Sequence, residues 1–290
     1  MRIARIGATY ASAYEFSTTL MDDSWSSSRP PVAQKVSGAD GVFDYYGELG
    51  FPLAPVTATK KFAIVGTSAA DLEDSLNTLR LNTITYFKNL QKLWWLDRDE
   101  TTKYWSWAKT ISLNTADSYK DKGRWLKPVT VQFYMPEGVW YAETVSTTTF
   151  GPITGPSSGF ASTTYIGNYY AAVKATVNAS NKVEAVSVQV SMSTGPTFSR
   201  TVTFDDTGGA GIAAGEELEI DSASFSALND AAGTPFDAYD KISLPTGQVT
   251  WLYFPPAIQP SALNAFVGAS GITSGATLTI DFEWYNTYVF

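Results

Sequence analysis

From Ala171 onward the sequence alternates apolar and polar residues in one short run after another, a pattern that leaves little but an antiparallel sheet to fold into. The runs are Ala171–Asn178, Val183–Ser193, Phe198–Phe204, Glu217–Phe225, Gln248–Phe254 and Ala276–Tyr285. Successive side chains on a strand point to opposite faces, so each run offers one apolar face for burial. Turn-forming clusters separate the runs: Gly195-Pro196, Gly208-Gly209, Ala214-Gly215, Pro245-Thr246-Gly247 and Pro255-Pro256. Strands at this spacing, with no helical periodicity between them, predict an antiparallel β-sandwich.

The segment Thr144–Thr164 (TVSTTTFGPITGPSSGFASTT) is uncharged and rich in Ser, Thr, Gly and Pro, and reads as a linker between two domains, 1–150 and 151–290. The two sides differ in electrostatics. Residues 1–150 hold 16 Lys+Arg and 16 Asp+Glu; residues 151–290 hold 4 and 12, so the whole net charge of −8 belongs to the second half. Seven of the nine tryptophans lie in the first, which makes that half the place to look for large buried or contact-forming rings.

In the first half, Lys60–Gly66 reads as a short strand. Ser68 three residues before Asp71 marks a helix start. Leu72, Leu76 and Leu79 follow at helical spacing, and Tyr86, Phe87 and Leu90 continue that face, so one helix is expected from about Ala69 to about Gln91. The β-branched Thr83, Ile84 and Thr85 weaken it. Leu93–Leu96 and Lys103–Ile111 then form an aromatic hairpin around the charged tip Asp97-Arg98-Asp99-Glu100-Thr101. Val129, Val131 and Phe133 alternate with Thr130 and Gln132 as a half-buried strand, and Trp25–Leu49, with its Pro and Gly residues, reads as an extended arm. On the hairpin, Trp94 and Trp95 must face opposite sides, as must Tyr104 and Trp105. Either both faces of the sheet are covered within the domain, or one exposes large aromatics and marks a partner surface. On the second alternative the oligomer-contact candidates are Trp94, Trp95, Trp105 and Trp107, with Trp25 on the arm.

Chemistry is narrowed by two absences: the chain has no cysteine and no histidine. That removes disulfides, thiolate nucleophiles, Ser-His-Asp relays and Cys- or His-ligated metals. Carboxylate chemistry survives, yet Asp97–Glu100 lacks the glycine and distant glutamate of a calcium loop and fits a hairpin tip. Glu217, Glu219 and Asp221 share a strand face that suits a solvated edge better than a cation site. Asp281 and Glu283, beside Trp284, are the nearest approach to a glycosidase pair, and any acidic strand would show them. Gly208–Gly211 has no Gly-Lys-Ser/Thr after it and is a turn. No catalytic residue, metal ligand or cofactor is expected, and the chain is not expected to be an enzyme. The acidic balance argues against sequence-specific nucleic-acid binding, Met1–Gly7 is followed by no apolar block that would make a secretory signal, and no segment approaches the ~20 apolar residues of a membrane span.

The order of elements resembles the distal tail proteins of long-tailed (siphovirus-type) bacteriophages. The resemblance rests on the N-capped Leu-rich helix, the aromatic hairpin, Trp125-Leu126-Lys127-Pro128-Val129-Thr130-Val131-Gln132-Phe133, and Val139-Trp140-Tyr141. In the second half it rests on Tyr165–Val173, Gly215-Glu216-Glu217-Leu218-Glu219-Ile220-Asp221 and the closing Ala276–Val289, and it spans roughly residues 30–290. Tyr165 and Val173 depart from the family's usual Asn and Pro. The resemblance implies a mainly β chain: an N-terminal β-sandwich or split-barrel-like domain with one helix, then a galectin-like antiparallel sandwich. It further implies a structural virion protein of the tail tip or baseplate, assembled in the host cytoplasm. Six copies would form a ring joining the tail tube to the tail hub, with room to mount a receptor-binding protein. An alternative is a carbohydrate-binding module or virion adhesin acting through the second sandwich, where Trp251 and Trp284 are the only indoles.

Overall fold

A computed structural model of the chain describes residues 2–19, 22–27, 34–35, 42–43, 55–84, 89–192, 198–231, 234–256 and 263–288. Contacts divide it into two compact units, residues 1–143 and 144–288. The first contains β1 (Arg2–Ile6), β2 (Tyr14–Glu15), β3 (Asp22–Ser27), β4 (Gln34–Lys35), β5 (Val42–Phe43), β6 (Val56–Gly66), α1 (Ala69–Ile84), β7 (Gln91–Leu96), β8 (Lys103–Thr115), β9 (Tyr119–Asp121), β10 (Arg124–Met135) and β11 (Trp140–Ala142). Its main sheet runs β2-β1-β7-β8-β10-β6-β3, with β9 beside β10, β11 beside β8, and β4 paired with β5 apart from it.

This sheet curls until its ends meet. The Ile3 N–H on β1 donates to Asp23 Oδ2 on β3 at 2.7 Å, and Asp23 Oδ1 takes the Lys60 ammonium of β6 at 3.0 Å. Both side chains of the pair are almost fully buried, 1 % exposed for Lys60 and 6 % for Asp23. Burial pulls Lys60 below the ordinary lysine range, and the Asp23 charge offsets only part of that. Alternation along β6 explains how a lysine comes to lie inside: Val56, Ala58, Lys60, Phe62 and Ile64 all point inward. Phe16 closes the interior against Phe62 and Phe133, with ring centroids 5.8 and 5.7 Å away.

The helix packs its Leu72, Leu76, Leu79 and Thr83 against the sheet, and all four are buried. Its start is capped as the sequence predicts. Ser68 Oγ accepts the Asp71 N–H at 3.1 Å, and Asp71 Oδ2 accepts the Thr67 N–H at 2.7 Å. Those hydrogen bonds hold the Asp71 carboxyl below its usual range. Gly66 lets the helix start sit close, because a Cβ there would come within 2.8 Å of the Leu72 nitrogen. The helix is shorter than expected: it ends at Ile84, within the β-branched run, and Gln91 already begins β7. Tyr86 and Phe87 lie outside the described residues, and Leu90 is outside the helix and exposed.

The second unit comprises β12 (Ser146–Thr154), β13 (Gly159–Tyr165), β14 (Ala171–Ala179), β15 (Ala185–Met192), β16 (Phe198–Asp205), β17 (Glu217–Asp221), β18 (Ser226–Ala231), β19 (Thr234–Asp237), β20 (Ile242–Ser243), β21 (Tyr253–Phe254), β22 (Leu263–Ser270), β23 (Thr277–Trp284) and β24 (Thr287–Tyr288). It is the expected antiparallel sandwich. One sheet runs β12-β23-β14-β17-β18-β19 with β21 on β14; the other runs β13-β22-β15-β16-β20. Between them lie the inward residues of each strand, among them Val173, Val177, Val188, Val202, Leu218, Ile220, Val267 and Phe282.

Two expectations give way here. Thr144–Thr164 is not a linker: it supplies β12 and β13, one strand to each sheet. Its threonines are β-branched and alternate with buried Phe150 and Tyr165, so a low-charge Ser/Thr segment becomes two strands where the partner strands β23 and β22 are waiting. Glu217–Phe225 is not one strand either, since the chain turns at Ser222–Phe225 and returns as β18.

The outer faces of the two sheets differ. That of the longer sheet carries Glu217, Glu219, Asp221, Asp281 and Glu283 around Lys174, whose ammonium meets Glu219 at 2.6 Å. Burial pulls Lys174 down, but Glu219, Glu283 and Asp221 more than offset it and hold it above the usual range. The outward row of the other sheet is mostly uncharged, with Ser187, Gln189, Ser191, Thr201 and Thr203, and Asp205 stands at the end of β16. Among the described residues no helix is long and apolar enough to cross a membrane.

Candidate functional site: the aromatic hairpin

The hairpin forms as its alternation demands, with Trp94 opposite Trp105, Trp95 opposite Tyr104 and Lys92 opposite Trp107. At its tip Asp99 accepts the Thr102 hydroxyl and the N–H groups of Thr102 and Thr101, the latter two at 2.9 Å, which tie the turn and depress the Asp99 carboxyl well below its usual range. Asp97–Glu100 is therefore a structural turn. Among the described residues no group of three or more carboxylates is placed to hold a metal ion.

The two faces of the hairpin have separate roles. On the inner face Trp95 is 1 % exposed and meets Trp140 edge-on, with centroids 4.5 Å apart. On the outer face Trp94 donates its indole N–H to the Gly7 carbonyl at 2.9 Å and carries Tyr10 edge-on at 5.7 Å. Tyr141 of β11 stacks on Trp105 at 4.5 Å, and the Lys92 ammonium lies 4.0 Å from the centre of the same indole. Burial lowers Lys92 below the ordinary lysine range, and the aromatic faces supply the attraction that keeps a cation there. Arg5 and Lys103 flank Tyr10 at 4.5 and 4.6 Å and are paired in turn with Glu15 and Glu143.

Consequently the expected contact residues separate. Trp94, Trp95 and Trp105 are buried within their own unit: β1, Tyr10 and Tyr141 cover that part of the outer face, which stays open further along β8. Trp107 alone remains half-buried. It borders an open cavity of ≈ 320 Å³ lined also by Ala8, Leu90 and Lys92. The Trp25 side chain, and the arm to Leu49 apart from its short strands, lie outside the described residues.

Sequence reasoning missed the rest of the open outer face. Ile111 is an extra residue between Thr110, which faces Phe133, and Ser112, which faces Gln132; this β-bulge leaves Ile111 46 % exposed. Tyr134, opposite Lys109 on the same face, is also exposed. Tyr134 stands out of step with the inward Val131, Phe133 and Met135, and that parity was the available signal.

In the second unit Trp251 and Trp284 are 5 % and 3 % exposed, so neither can present its indole face to a sugar. Trp284 packs edge-on against Phe254 in the core. Asp281 and Glu283 point outward rather than into a cleft, and Asp281 is held by Thr149 and by Asn178, the latter at 2.9 Å.

The arrangement of a curled antiparallel sheet carrying one helix and an aromatic hairpin, followed by a two-sheet sandwich, has a counterpart among solved structures. Over 92 % of this chain and 89 % of the other, the structure resembles the Dit protein of phage SPP1, described as a paradigm of the hub adsorption apparatus in phages infecting Gram-positive bacteria; the TM-score is 0.52 and the identity 12 %. The baseplate of phage p2 in its activated conformation, solved with Ca and with Sr, aligns over 97 % of this chain and 98 % of that one, with a TM-score of 0.43 and 8 % identity. No protein-family model and no curated protein matches the sequence.

Proposed function

We infer that this chain is a structural component of a phage tail tip or baseplate and has no catalytic role. The observation that supports this is the structural likeness to the SPP1 Dit protein over 92 % of this chain and 89 % of that one. In this reading six copies close a ring through their first units, between tail tube and tail hub. The second units are free to carry a receptor-binding protein. DNA passes through without sequence recognition, and the protein ends in the virion after assembly in the host cytoplasm. A head-to-tail contact whose rotation closes yields such a ring. The electroneutral first half supports it, because copies can approach without like-charge repulsion. Trp107, Ile111 and Tyr134 are the apolar groups on the hairpin face that copies would cover.

Light scattering behind a sizing column tests the assembly. Six 31.5 kDa chains give about 190 kDa, and a back-to-back pair of rings about twice that. Ile111→Lys with Tyr134→Lys should reduce the mass to one chain with the melting temperature retained. A wild-type protein that stays monomeric at every concentration, alone and mixed with tail tube protein, refutes the ring.

A further inference from the structure

The loop joining β17 to β18 carries a residue that local energetics disfavours twice. Asp221 pairs with Ser226, so Ser222–Phe225 is a four-residue hairpin loop, and its last residue, Phe225, has φ +53°. Glycine or asparagine suits that left-handed position; a bulky ring there is strained. Burial does not compensate, because Phe225 is 51 % exposed. Strain held at an exposed side chain directs attention to what the side chain touches.

Phe225 stands edge-on to Trp251 at 6.0 Å, and Tyr239, 54 % exposed, stacks on the same indole at 5.7 Å with an interplanar angle of 22°. The buried Trp251 is thus a base for two exposed rings. The segments that carry the three rings are tied by local hydrogen bonds. Ser222 Oγ accepts the Leu252 N–H at 3.0 Å, Asp221 accepts the Ala223 N–H at 2.8 Å and the Ser224 hydroxyl at 2.9 Å, and Asp237 accepts the Tyr239 N–H at 2.9 Å. A carboxylate has about four acceptor sites, so Asp221 and Asp237 retain capacity for further donors. The nearby cation Lys241 is engaged by Asp206 at 3.2 Å and Asp240 at 3.6 Å.

We propose that Tyr239, stacked on Trp251, is the platform for a neutral hexopyranose ring of a surface polysaccharide, and that Phe225, which stands steeply to that plane on the same indole, is a side wall. The C–H face of a pyranose lies flat on an aromatic ring, and its hydroxyls would find acceptors in Asp221 and Asp237, which are bonded to the loop and to the Tyr239 backbone. Those same carboxylates, in a half with net charge −8, repel anionic glycans and phosphate-bearing polymers. The site differs from the buried-indole contacts expected from sequence, and it does not depend on the ring assembly.

The full chain is tested on an array of immobilised neutral hexose glycans, alongside an anionic glycan and poly-lysine, at low and high salt. Binding to at least one neutral glycan, unchanged by salt and absent on the anionic one, is expected. Tyr239→Ala should weaken it about tenfold, the factor that follows from about 1.4 kcal/mol of lost contact. Phe225→Gly should weaken it similarly while the melting temperature holds or rises, because glycine relieves the backbone. Three results would overturn the proposal: no neutral glycan bound, binding that survives both substitutions, or salt-sensitive binding to poly-lysine alone, which marks a basic protein partner. A clear fall in melting temperature for Phe225→Gly would do so as well, since the ring would then be structural.

Discussion

Replacing Asp23 with alanine leaves the Lys60 ammonium without its counter-ion and the Ile3 N–H without its acceptor, in a site where the two side chains are 6 % and 1 % exposed. Breaking one partner of such a buried pair costs about 3–5 kcal/mol. At about 2–4 °C per kcal/mol for a domain of this size, the first unit should melt about 6–20 °C lower. Lys60→Met is milder, because the stranded Asp23 carboxylate still receives the Ile3 N–H. The double variant Asp23→Asn, Lys60→Met should recover to within about 1–2 kcal/mol of the wild type, since the amide oxygen still accepts from Ile3 and methionine fills the lysine's path without a charge. Urea unfolding followed by tryptophan emission isolates the effect, because seven of the nine indoles lie in residues 1–150. The pair also has a pH signature. Burial holds Lys60 below its reference value of 10.5, so the unfolded chain binds that proton more tightly and stability rises with pH through the window beneath 10.5. An Asp23→Ala variant within about 0.5 kcal/mol of wild type, or a double variant as unstable as the two singles combined, would show that this contact does not close the sheet.

Two further outcomes follow from the same geometry. Trp95→Ala removes a 1 %-exposed indole and should cost about 3–5 kcal/mol, whereas Trp107→Ala should change the unfolding free energy by clearly less and alter chiefly the solution mass; equal destabilisation of the two would place Trp107 in the core. Asp71 and Asp99 are held below their reference value of 3.8 by backbone and hydroxyl donors, so their contribution is complete above about pH 4 and lost as pH falls through their lower folded values. Acid titration of Asp99→Asn should show a shallower fall in melting temperature than the wild type, and superimposable curves would contradict the assignment.

Most of the β architecture could be read from alternation, because burial on one face of a strand imposes a period of two whatever the partner. The helix start was legible for a similar reason: Ser68 and Asp71 act on the backbone next to them. What failed was information held by distant residues. Ser146–Thr154 and Gly159–Tyr165 are strands because β23 and β22 offer them open edges, and nothing in the local composition announces those edges. Lys60 was visible as a lysine in the inward row of β6, but its partner lies 37 residues earlier and outside any short motif. The hairpin tryptophans were correctly placed on strands, but alternation alone left open whether their second face is covered within the unit, and Trp94 and Trp105 are covered there. Tyr10 and Tyr141, which cover them, come from the N-terminal segment and from β11. The site at Phe225 is invisible to period counting, since its signal is a backbone angle.

The acidic face of the second sandwich gives the protein a sensitivity to the medium that neither its core nor its hairpin would predict. Fields from Glu217, Glu219, Asp221, Asp281 and Glu283 decay over about 8 Å at physiological ionic strength and about 30 Å at 0.01 M. In concentrated salt, neighbouring copies would therefore be indifferent to one another at these faces. In dilute buffer the same faces would act as mutually repelling plates, so any assembly that gathers several copies should swell on dilution and contract when a divalent counter-ion is added.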